Sequence, residues 1–235
     1  FRNIGLIGRV DSDLVRQSVQ ALVVLLQQRE LTVVLEEETS KALDSHSLQV
    51  ASRKLIGEVC DMVIVVGGDG SLLGAARDLA RHDVPVLGIN RGKLGFLTDI
   101  APEDIETGVS CVLDGNYETE TRFLLETELK RAGAVVGQSD AFNDVVLHSG
   151  QAPKMLSFEL YIDGEFVYSQ RSDGLIVSTP TGSTAYSLSG GGPIMHPRLN
   201  AIVLVPMFPH TLSSRPLVVD GNSEIKIIVS ESNHV

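Results

Sequence analysis

The stretch Met62-Val63-Ile64-Val65-Val66-Gly67-Gly68-Asp69-Gly70 decides the fold of the N-terminal half of the chain. Its first five residues carry no charged or hydroxyl side chain, which is typical of a strand buried on both faces of a parallel sheet. A glycine turn follows, and the pattern from Ser71 to His82 predicts a helix. This order predicts one unit of an α/β sheet.

The same alternation continues on both sides of that stretch. The sequence predicts further strands at Asn3 to Ile7, Leu31 to Leu35 and Val86 to Ile89, an amphipathic helix near residues 14–26 and a helix at Ala51 to Val59. We therefore expect a Rossmann-like α/β domain over residues 1–114.

Beyond Asp114 the pattern indicates strands. Leu156 to Ile162 alternates apolar and polar residues, and Asp163-Gly164 is the dipeptide that a type I′ hairpin turn prefers. We expect a β-rich, β-sandwich-like domain over residues 115–235. Because Ile225 to Val229 has no visible partner strand downstream, we also expect that this domain is truncated at its C-terminal end.

Composition excludes several classes of protein. The 235 residues include 19 Lys+Arg and 30 Asp+Glu, a net charge of −11 that argues against a nucleic acid or an anionic membrane as partner. Apolar runs such as Ala201 to Val205 are too short to span a bilayer, and Pro206 is expected to break the segment after Val205. Two cysteines are too few for a disulfide framework, so we expect a cytoplasmic protein.

Metal-hydrolase and serine-hydrolase chemistry has no support in the sequence. The six histidines lack the spacing of a zinc site, and no G-x-S-x-G sequence surrounds the serines. The G-x-x-x-x-G-K-[ST] loop is also missing, which argues against a P-loop enzyme.

The glycine turn is the first candidate site. Glycines at a strand end, before a helix, let backbone amides approach a phosphate, so Gly67, Gly68 and Gly70 are candidate phosphate contacts. Asp69 could then accept a proton from a hydroxyl or hold Mg²⁺ through water. The alternative is a turn in which Asp69 merely caps a helix starting at Ser71.

A second candidate is the hydroxyl-rich run from Thr179 to Ser189, which follows a predicted strand. Hydroxyls and free amides with few charges suit a polar neutral ligand, and Tyr186 is available to stack on it. A plain polar loop is the alternative.

Isolated polar residues form a third group. Asn143 and Asp144 could bond ribose hydroxyls or a base, and Arg171, near Asp173, could meet a phosphate; the alternative is surface turns and ion pairs. Phe96 could cover a flat ligand or pack in the core.

In combination these motifs resemble those of bacterial NAD kinases. The segments that carry the resemblance are Gly67 to Gly70, Gly88 to Gly92, Leu94 to Leu97, Asn143-Asp144, Asp173-Gly174 and Thr179 to Ser189. Phosphofructokinases and the diacylglycerol and sphingosine kinases resemble the chain only at the glycine turn, whereas the long hydroxyl block is far more specific.

The resemblance implies phosphoryl transfer from ATP, or from polyphosphate in some members, to the 2′-hydroxyl of the adenosine ribose of NAD, giving NADP. It also implies a Mg²⁺ ion, for which the sequence shows no direct protein ligand, and assembly into a homodimer or homotetramer.

The resemblance also implies roles for individual residues. Asp69 would orient or deprotonate the 2′-hydroxyl, Phe96 would border the adenosine pocket, and Asn143 with Asp144 would bind ribose hydroxyls or adenine. Lys154 and Arg171 would face phosphates. The nicotinamide end, or a neighbouring subunit's ligand, would be held by Asp173 and by residues of the hydroxyl block, namely Thr184, Ala185, Tyr186, Ser187, Leu188 and Ser189.

Two departures and two other functions stay open. Many family members have Asn-Glu where this chain has Asn143-Asp144, and the shorter acid has less reach toward ribose. The family also continues well past the last strand of this chain, so binding residues beyond Val235 would be missing from the site.

A kinase acting on a lipid or sugar would need an apolar groove, which the charge-poor hydroxyl block argues against. A non-catalytic regulator would bind NAD or NADP without consuming a triphosphate.

Overall fold

The computed structural model describes residues 1–9, 12–41, 43, 46–92, 95, 97–98, 100–150, 155–211 and 213–230. The chain forms two compact units, Phe1–Thr119 and Glu120–Val235. Within the described residues, no helix combines the length and apolar character needed to cross a bilayer.

The first unit is built on a five-stranded sheet of order β3-β2-β1-β4-β5, in which every strand pair is parallel. The strands are β1 (Asn3–Gly8), β2 (Thr32–Glu36), β3 (Gln49–Ala51), β4 (Met62–Gly67) and β5 (Val86–Asn90). The helices are α1 (Asp13–Gln28), α2 (Glu37–Ser40), α3 (Arg53–Val59), α4 (Asp69–Leu79) and α5 (Ile105–Leu113). This strand order is that of a doubly wound dinucleotide-binding sheet.

Helices cover both faces of this sheet. On one face Val19 and Leu22 of α1 and Val109 of α5 pack against Ile64 of β4. On the other, side chains of α3 and α4 pack against the intervening residues, such as Val65. This double coverage explains why β4 is apolar throughout, and it confirms the predicted α/β domain.

The second unit is antiparallel. Its strands are β6 (Leu125–Arg131), β7 (Ala134–Ala141), β8 (Asp144–His148), β9 (Leu156–Ile162), β10 (Glu165–Ser172), β11 (Gly174–Ser178), β12 (Ala201–Met207), β13 (Leu217–Asp220) and β14 (Ile225–Val229), and its one described α-helix is α6 (Tyr186–Ser189). They form sheets of order β10-β9-β14 and β13-β12-β11-β8, with β6-β7 as a separate hairpin.

Two of these sheets pack face to face. Phe158 and Leu160 of β9 meet Leu175 of β11 and Leu204 of β12 in one apolar core. The opposite side of β11 and β12 buries a smaller cluster that includes Met195, a residue beyond α6. The predicted β-rich, sandwich-like part is therefore confirmed, and the segment that carries the hydroxyl block covers its outer layer.

The turn predicted at Asp163-Gly164 is confirmed. Both residues have positive φ, 52° and 83°, as a type I′ turn requires between β9 and β10. The β6–β7 hairpin uses the same geometry at Ala132 and Gly133, with φ of 47° and 81°. That second turn was not predicted, because alanine has no preference for a positive φ.

β14 pairs with β9, which lies upstream, through Ile225 and Ile162, so the expected truncation stays a prediction. One expectation needs correction. Pro206 does not end its strand, since β12 continues to Met207; β13 pairs only with Ala201 to Leu204, so the proline has one neighbouring strand. The short elements β3, α2 and β13 were not predicted.

Candidate active site

Asp69 is the first residue of α4, immediately after the Gly67 end of β4 and the Gly68 cap position. A carboxylate in the first turn of a helix is stabilised by the partial positive charge of the helix N-terminus. The alternative in which Asp69 caps a helix starting at Ser71 is therefore wrong, because the helix begins two residues earlier. The Leu97 backbone N–H donates to Asp69 Oδ1 over 3.2 Å.

Of the glycines around Asp69, Gly70 leaves the backbone open. A Cβ atom built on Gly70 would meet no heavy atom within 4 Å, so a ligand has room to approach there. A Cβ built on Gly68 would lie 3.7 Å from Gly92 Cα, so two turns of the sheet edge pass close together. On Gly67 a Cβ would collide with the Ser71 side chain, which restricts this position to glycine.

The turn after β5 is tied to the same edge. The Arg91 N–H donates to the Gly67 carbonyl over 2.9 Å, and the Gly92 N–H donates to Asn90 Oδ1 over 2.8 Å. The Arg91 side chain donates through Nε to Ser18 Oγ of α1 over 2.5 Å. These bonds hold the glycine turn and its neighbour together at the carboxyl end of the sheet, where ligands bind in open α/β folds.

Two predicted site residues, Phe96 and Lys154, lie outside the described residues. Their assignments to an adenosine pocket and to phosphates therefore stay predictions.

In the second unit, Asn143 lies directly before β8 and contacts the hydroxyl block through its backbone. Its carbonyl accepts from the Thr179 N–H over 2.9 Å and from Ser178 Oγ over 3.2 Å. Its side-chain Oδ1 is buried and has no hydrogen-bond partner among the described residues. A buried acceptor without a donor is a feature that a bound ligand can satisfy.

Asp144 is half-buried beside α6. Burial raises the pKa of its carboxyl, and a hydrogen bond with the Tyr186 backbone acts in the opposite direction. Asp144 and Tyr186 are therefore neighbours, as a shared binding site requires.

Much of the hydroxyl block builds the loop itself. Thr179 Oγ1 donates to the Phe142 carbonyl over 2.7 Å and accepts from the Gly182 N–H. Ser183 Oγ donates to the Pro180 carbonyl over 2.6 Å and accepts from the Met195 N–H over 3.0 Å. These two hydroxyls are buried and engaged, so the richness of this run in Ser and Thr reflects loop construction as well as any ligand.

The later part of the block is more accessible. Tyr186 and Leu188 are 46% and 43% exposed, and Ser189 is also exposed. Thr184 and Ala185 are half-buried, and Thr184 Oγ1 donates to the Thr181 carbonyl over 3.4 Å. Ser187 is fully buried, and its Oγ has no hydrogen-bond partner among the described residues.

Arg171 lies on β10, in a groove of about 470 Å³ on the sheet of β9, β10 and β14. The groove is also lined by Ser157, Phe158, Glu159, Ser169, Gln170, His210, Thr211 and Ser230. Asp173 is exposed at the turn into β11, where its N–H donates to the Met207 carbonyl. Arg171 could meet an anion in this groove, which also contains the imidazole of His210 and the carboxylate of Glu159.

Three residues that contribute to the candidate site were not predicted from the sequence. His210 joins Arg171 only because its backbone N–H donates to the Arg171 carbonyl. Leu97 acts on Asp69 through a backbone amide, which side-chain patterns do not reveal. Arg122 donates to Thr181 Oγ1 over 3.1 Å and so braces the hydroxyl block. None has a sequence signal, since each pairing is long-range.

Among the described residues, no group of three or more His, Cys, Asp or Glu side chains could hold a metal ion. Mg²⁺ commonly keeps several waters and is bound by one or two carboxylates together with substrate phosphates. The single carboxylate of Asp69 therefore fits a cation that is brought with a nucleotide.

Comparison with known proteins covers both units. Residues 4–117 match the ATP-NAD kinase N-terminal domain and residues 142–235 match the ATP-NAD kinase C-terminal domain. The chain is 65% identical to an NAD kinase of Pseudomonas fluorescens (strain SBW25), over 100% of this chain and 79% of that protein. It is also 65% identical to an NAD kinase of Ectopseudomonas mendocina (strain ymp), over 98% of this chain and 78% of that protein.

Two solved structures share the fold. The yeast NADH kinase complexed with NADH superimposes with a TM-score of 0.89 at 29% identity, over 99% of this chain and 73% of that chain. An NAD kinase from Archaeoglobus fulgidus in complex with ATP gives a TM-score of 0.77 at 29% identity, over 97% of this chain and 81% of that chain.

Proposed function

The chain belongs to the NAD kinase family, and from that premise we propose that Asp69 is the group that orients and deprotonates the acceptor hydroxyl. The protein is a kinase that phosphorylates NAD to NADP with ATP. The observation that supports the role of Asp69 is its position: a carboxylate in the first turn of α4, next to the open Gly70, with its Oδ1 accepting from the Leu97 N–H.

The proposed step is an in-line phosphoryl transfer. The 2′-oxygen of the adenosine ribose forms a bond to the γ-phosphorus of ATP while the bond from that phosphorus to the ADP oxygen breaks. The hydroxyl proton passes to the Asp69 carboxylate, so charge and atoms balance. Because this chemistry depends on positioning and charge neutralisation, one fixed carboxylate and a phosphate cradle suffice.

We assign the phosphates of ATP to the glycine turn, Gly67 to Gly70, whose amides lie at the start of a helix. A divalent cation bound with ATP would neutralise phosphate charge, and Asp69 is the acid that would hold it through water. This assignment makes residues 1–114 the phosphate-binding domain and residues 115–235 the NAD-binding domain.

For NAD, the proposal rests on the second unit. The buried Oδ1 of Asn143 would accept from the adenine amino group, and Asp144 would accept from ribose hydroxyls. Arg171, with His210 beside it, would face the pyrophosphate. The exposed ring of Tyr186 would stack on NAD. Asp173, Thr184, Ala185, Ser187, Leu188 and Ser189 stay proposed contacts of the nicotinamide end.

The experiment is NADP formation from NAD, ATP and Mg²⁺, measured with an NADP-specific dehydrogenase. We expect turnover by the wild type and a loss of at least about 100-fold in Asp69→Asn, the size of effect a general base typically provides, with NAD binding retained. Asp83→Asn makes the same chemical change at a residue after α4 and outside the site, and φ of 52° there suits asparagine, so it is the matched control.

Other outcomes would point elsewhere. Wild-type turnover retained by Asp69→Asn would remove Asp69 as the base. NAD binding without any turnover of ATP would favour polyphosphate as donor or NADH as acceptor, the dinucleotide bound by the yeast relative. If no phosphoryl donor supports turnover, the remaining hypothesis is a regulator that binds dinucleotides without catalysis.

We also propose a homodimer or homotetramer in the cytoplasm. Assembly is supported by large apolar side chains at the surface of the second unit, where Ile194 is 69% and Phe208 79% exposed. Sedimentation velocity of the protein measures the assembly, and a monomer at micromolar concentration would contradict it.

A further inference from the structure

Gly95 lies directly against the carboxylate of Asp69. If a Cβ atom is built on Gly95, its three nearest heavy atoms are Oδ1, Cγ and Oδ2 of Asp69, and the farthest of them, Oδ2, is only 2.5 Å away. Atoms without a bond between them do not approach so closely, so the carboxylate occupies the space that any side chain at position 95 would need.

Backbone conformation gives no reason for glycine at this position. The φ angle of Gly95 lies outside the left-handed region, unlike that of Gly115 or Gly133, so an alanine could adopt the backbone geometry without strain. What Gly95 provides is therefore space, and the group that uses the space is the Asp69 carboxylate.

The same segment also holds the carboxylate from another side. The Leu97 N–H, two residues further, donates to Asp69 Oδ1 over 3.2 Å. A rotation of the Asp69 side chain away from position 95 would move Oδ1 relative to this donor. The space at Gly95 and the amide of Leu97 are two constraints on where the carboxylate stands.

We propose that Gly95 is a positioning residue for phosphoryl transfer: the absence of a side chain there sets where the Asp69 carboxylate stands relative to the acceptor hydroxyl. This inference rests on the proposed function of Asp69. Gly95 itself touches neither substrate in this assignment and acts only through Asp69.

The proposal separates catalysis from folding. The atoms that an alanine would displace are the carboxylate end of one side chain, and not a backbone segment. The fold therefore tolerates Gly95→Ala, while the base is moved off its position. Misplacement of a reacting group by about 1 Å costs on the order of 100-fold in rate.

The test compares Gly95→Ala with Gly74→Ala, a glycine-to-alanine change on α4 whose Cβ would meet only Arg53 Nη1, at 3.8 Å. For each variant kcat, KM for NAD, the calorimetric Kd for NAD and the melting temperature are measured. We expect Gly95→Ala to lower kcat by about 100-fold, with KM and Kd within about twofold of wild type and with an undiminished melting temperature. Gly74→Ala keeps wild-type kcat.

A double variant isolates the route of the effect. If Gly95 acts only through Asp69, adding Gly95→Ala to Asp69→Asn lowers the residual rate no further. An unchanged kcat in Gly95→Ala, a lowered melting temperature with normal kcat, or a further loss in the double variant would each overturn the inference. Retained turnover in Asp69→Asn would instead overturn the proposed function, so the two failures are distinguishable.

Discussion

At the scale of single residues, the backbone and the side chain of Asn143 have different roles. Its carbonyl bonds Thr179 and Ser178, whereas its Oδ1 is buried without a described partner. Changing the side chain therefore removes no hydrogen bond made by Oδ1 within the described structure. If Oδ1 accepts from adenine, the loss appears in NAD binding rather than in stability.

We therefore expect Asn143→Ala to raise the KM for NAD by about 5- to 12-fold, since a hydrogen bond contributes roughly 1–1.5 kcal/mol and each 1.4 kcal/mol is tenfold. The melting temperature should change little. Steady-state kinetics and calorimetry with NAD measure the effect, and Asn116→Ala in an exposed turn is the control. An unchanged KM would exclude Oδ1 as an NAD contact.

Residue types suggest where a site is but do not show which atoms are free. Asp69 was proposed because it follows a strand end, where ligands bind in open α/β sheets, and Asn143 because its side-chain amide at the start of a strand can bond ribose or a base. The hydroxyls of Thr179 and Ser183 looked equally available in the sequence, yet both bond backbone groups of their own loop or its neighbours. A hydroxyl can bond locally or to a ligand, and sequence alone does not say which.

At the scale of elements, the β6–β7 hairpin contains an unfavourable residue. Ala132 has φ of 47°, and the left-handed region costs an L residue roughly 1–2 kcal/mol. Asparagine tolerates this conformation far better than alanine. We expect Ala132→Asn to raise the free energy of unfolding by about 0.5 kcal/mol or more, and urea unfolding measures the change.

The paired control uses the β9–β10 turn, where the preferred residue is already present. Asp163 has φ of 52°, and its carboxylate accepts from the Glu224 N–H and Ser223 Oγ. Asp163→Ala should therefore destabilise the protein while Ala132→Asn stabilises it. Equal effects of the two changes would contradict the turn argument.

Elements followed from the sequence where local signals were strong. The apolar run of β4 and the Asp163-Gly164 turn were both predicted, because burial on two faces and a positive φ each demand particular residues. The three-residue strand β3 was missed, since it is defined by pairing with β2 and has no pattern of its own. The pairing of β14 with β9 was also missed, because the two strands lie far apart in the chain.

At the scale of the whole molecule, its two cysteines, Cys60 and Cys111, differ in burial. Burial raises the pKa of the Cys60 thiol to about 11, and nearby Asp61 adds to the effect, whereas Cys111 is exposed. Only the thiolate reacts with alkylating agents, and a raised pKa reduces its fraction at every pH below about 11.

We expect the native protein at pH 8 to take up one equivalent of iodoacetamide, at Cys111, and the unfolded protein to take up two. Intact-mass spectrometry counts the added groups. Cys111→Ser should leave the native protein unlabelled, and rapid labelling of that variant would show that Cys60 is accessible.

The architecture of the whole chain was predictable as an alternation of strands and helices followed by strands alone. Helices on both faces of a parallel sheet leave a clear mark on β4, whose residues are all buried. The separation of the second unit into sheets of three, four and two strands left no comparable mark, because every one of them is antiparallel.

The strand pairings also imply an order of folding during synthesis. The first unit is complete once Thr119 has been translated, so its five-stranded sheet and the helices that cover it can assemble while the second unit is still being synthesised. In contrast, β9 cannot pair with β14 until Ile225 has been translated, because Ile162 pairs with Ile225. The glycine turn with Asp69 is thus in place before the second unit can close its own sheet.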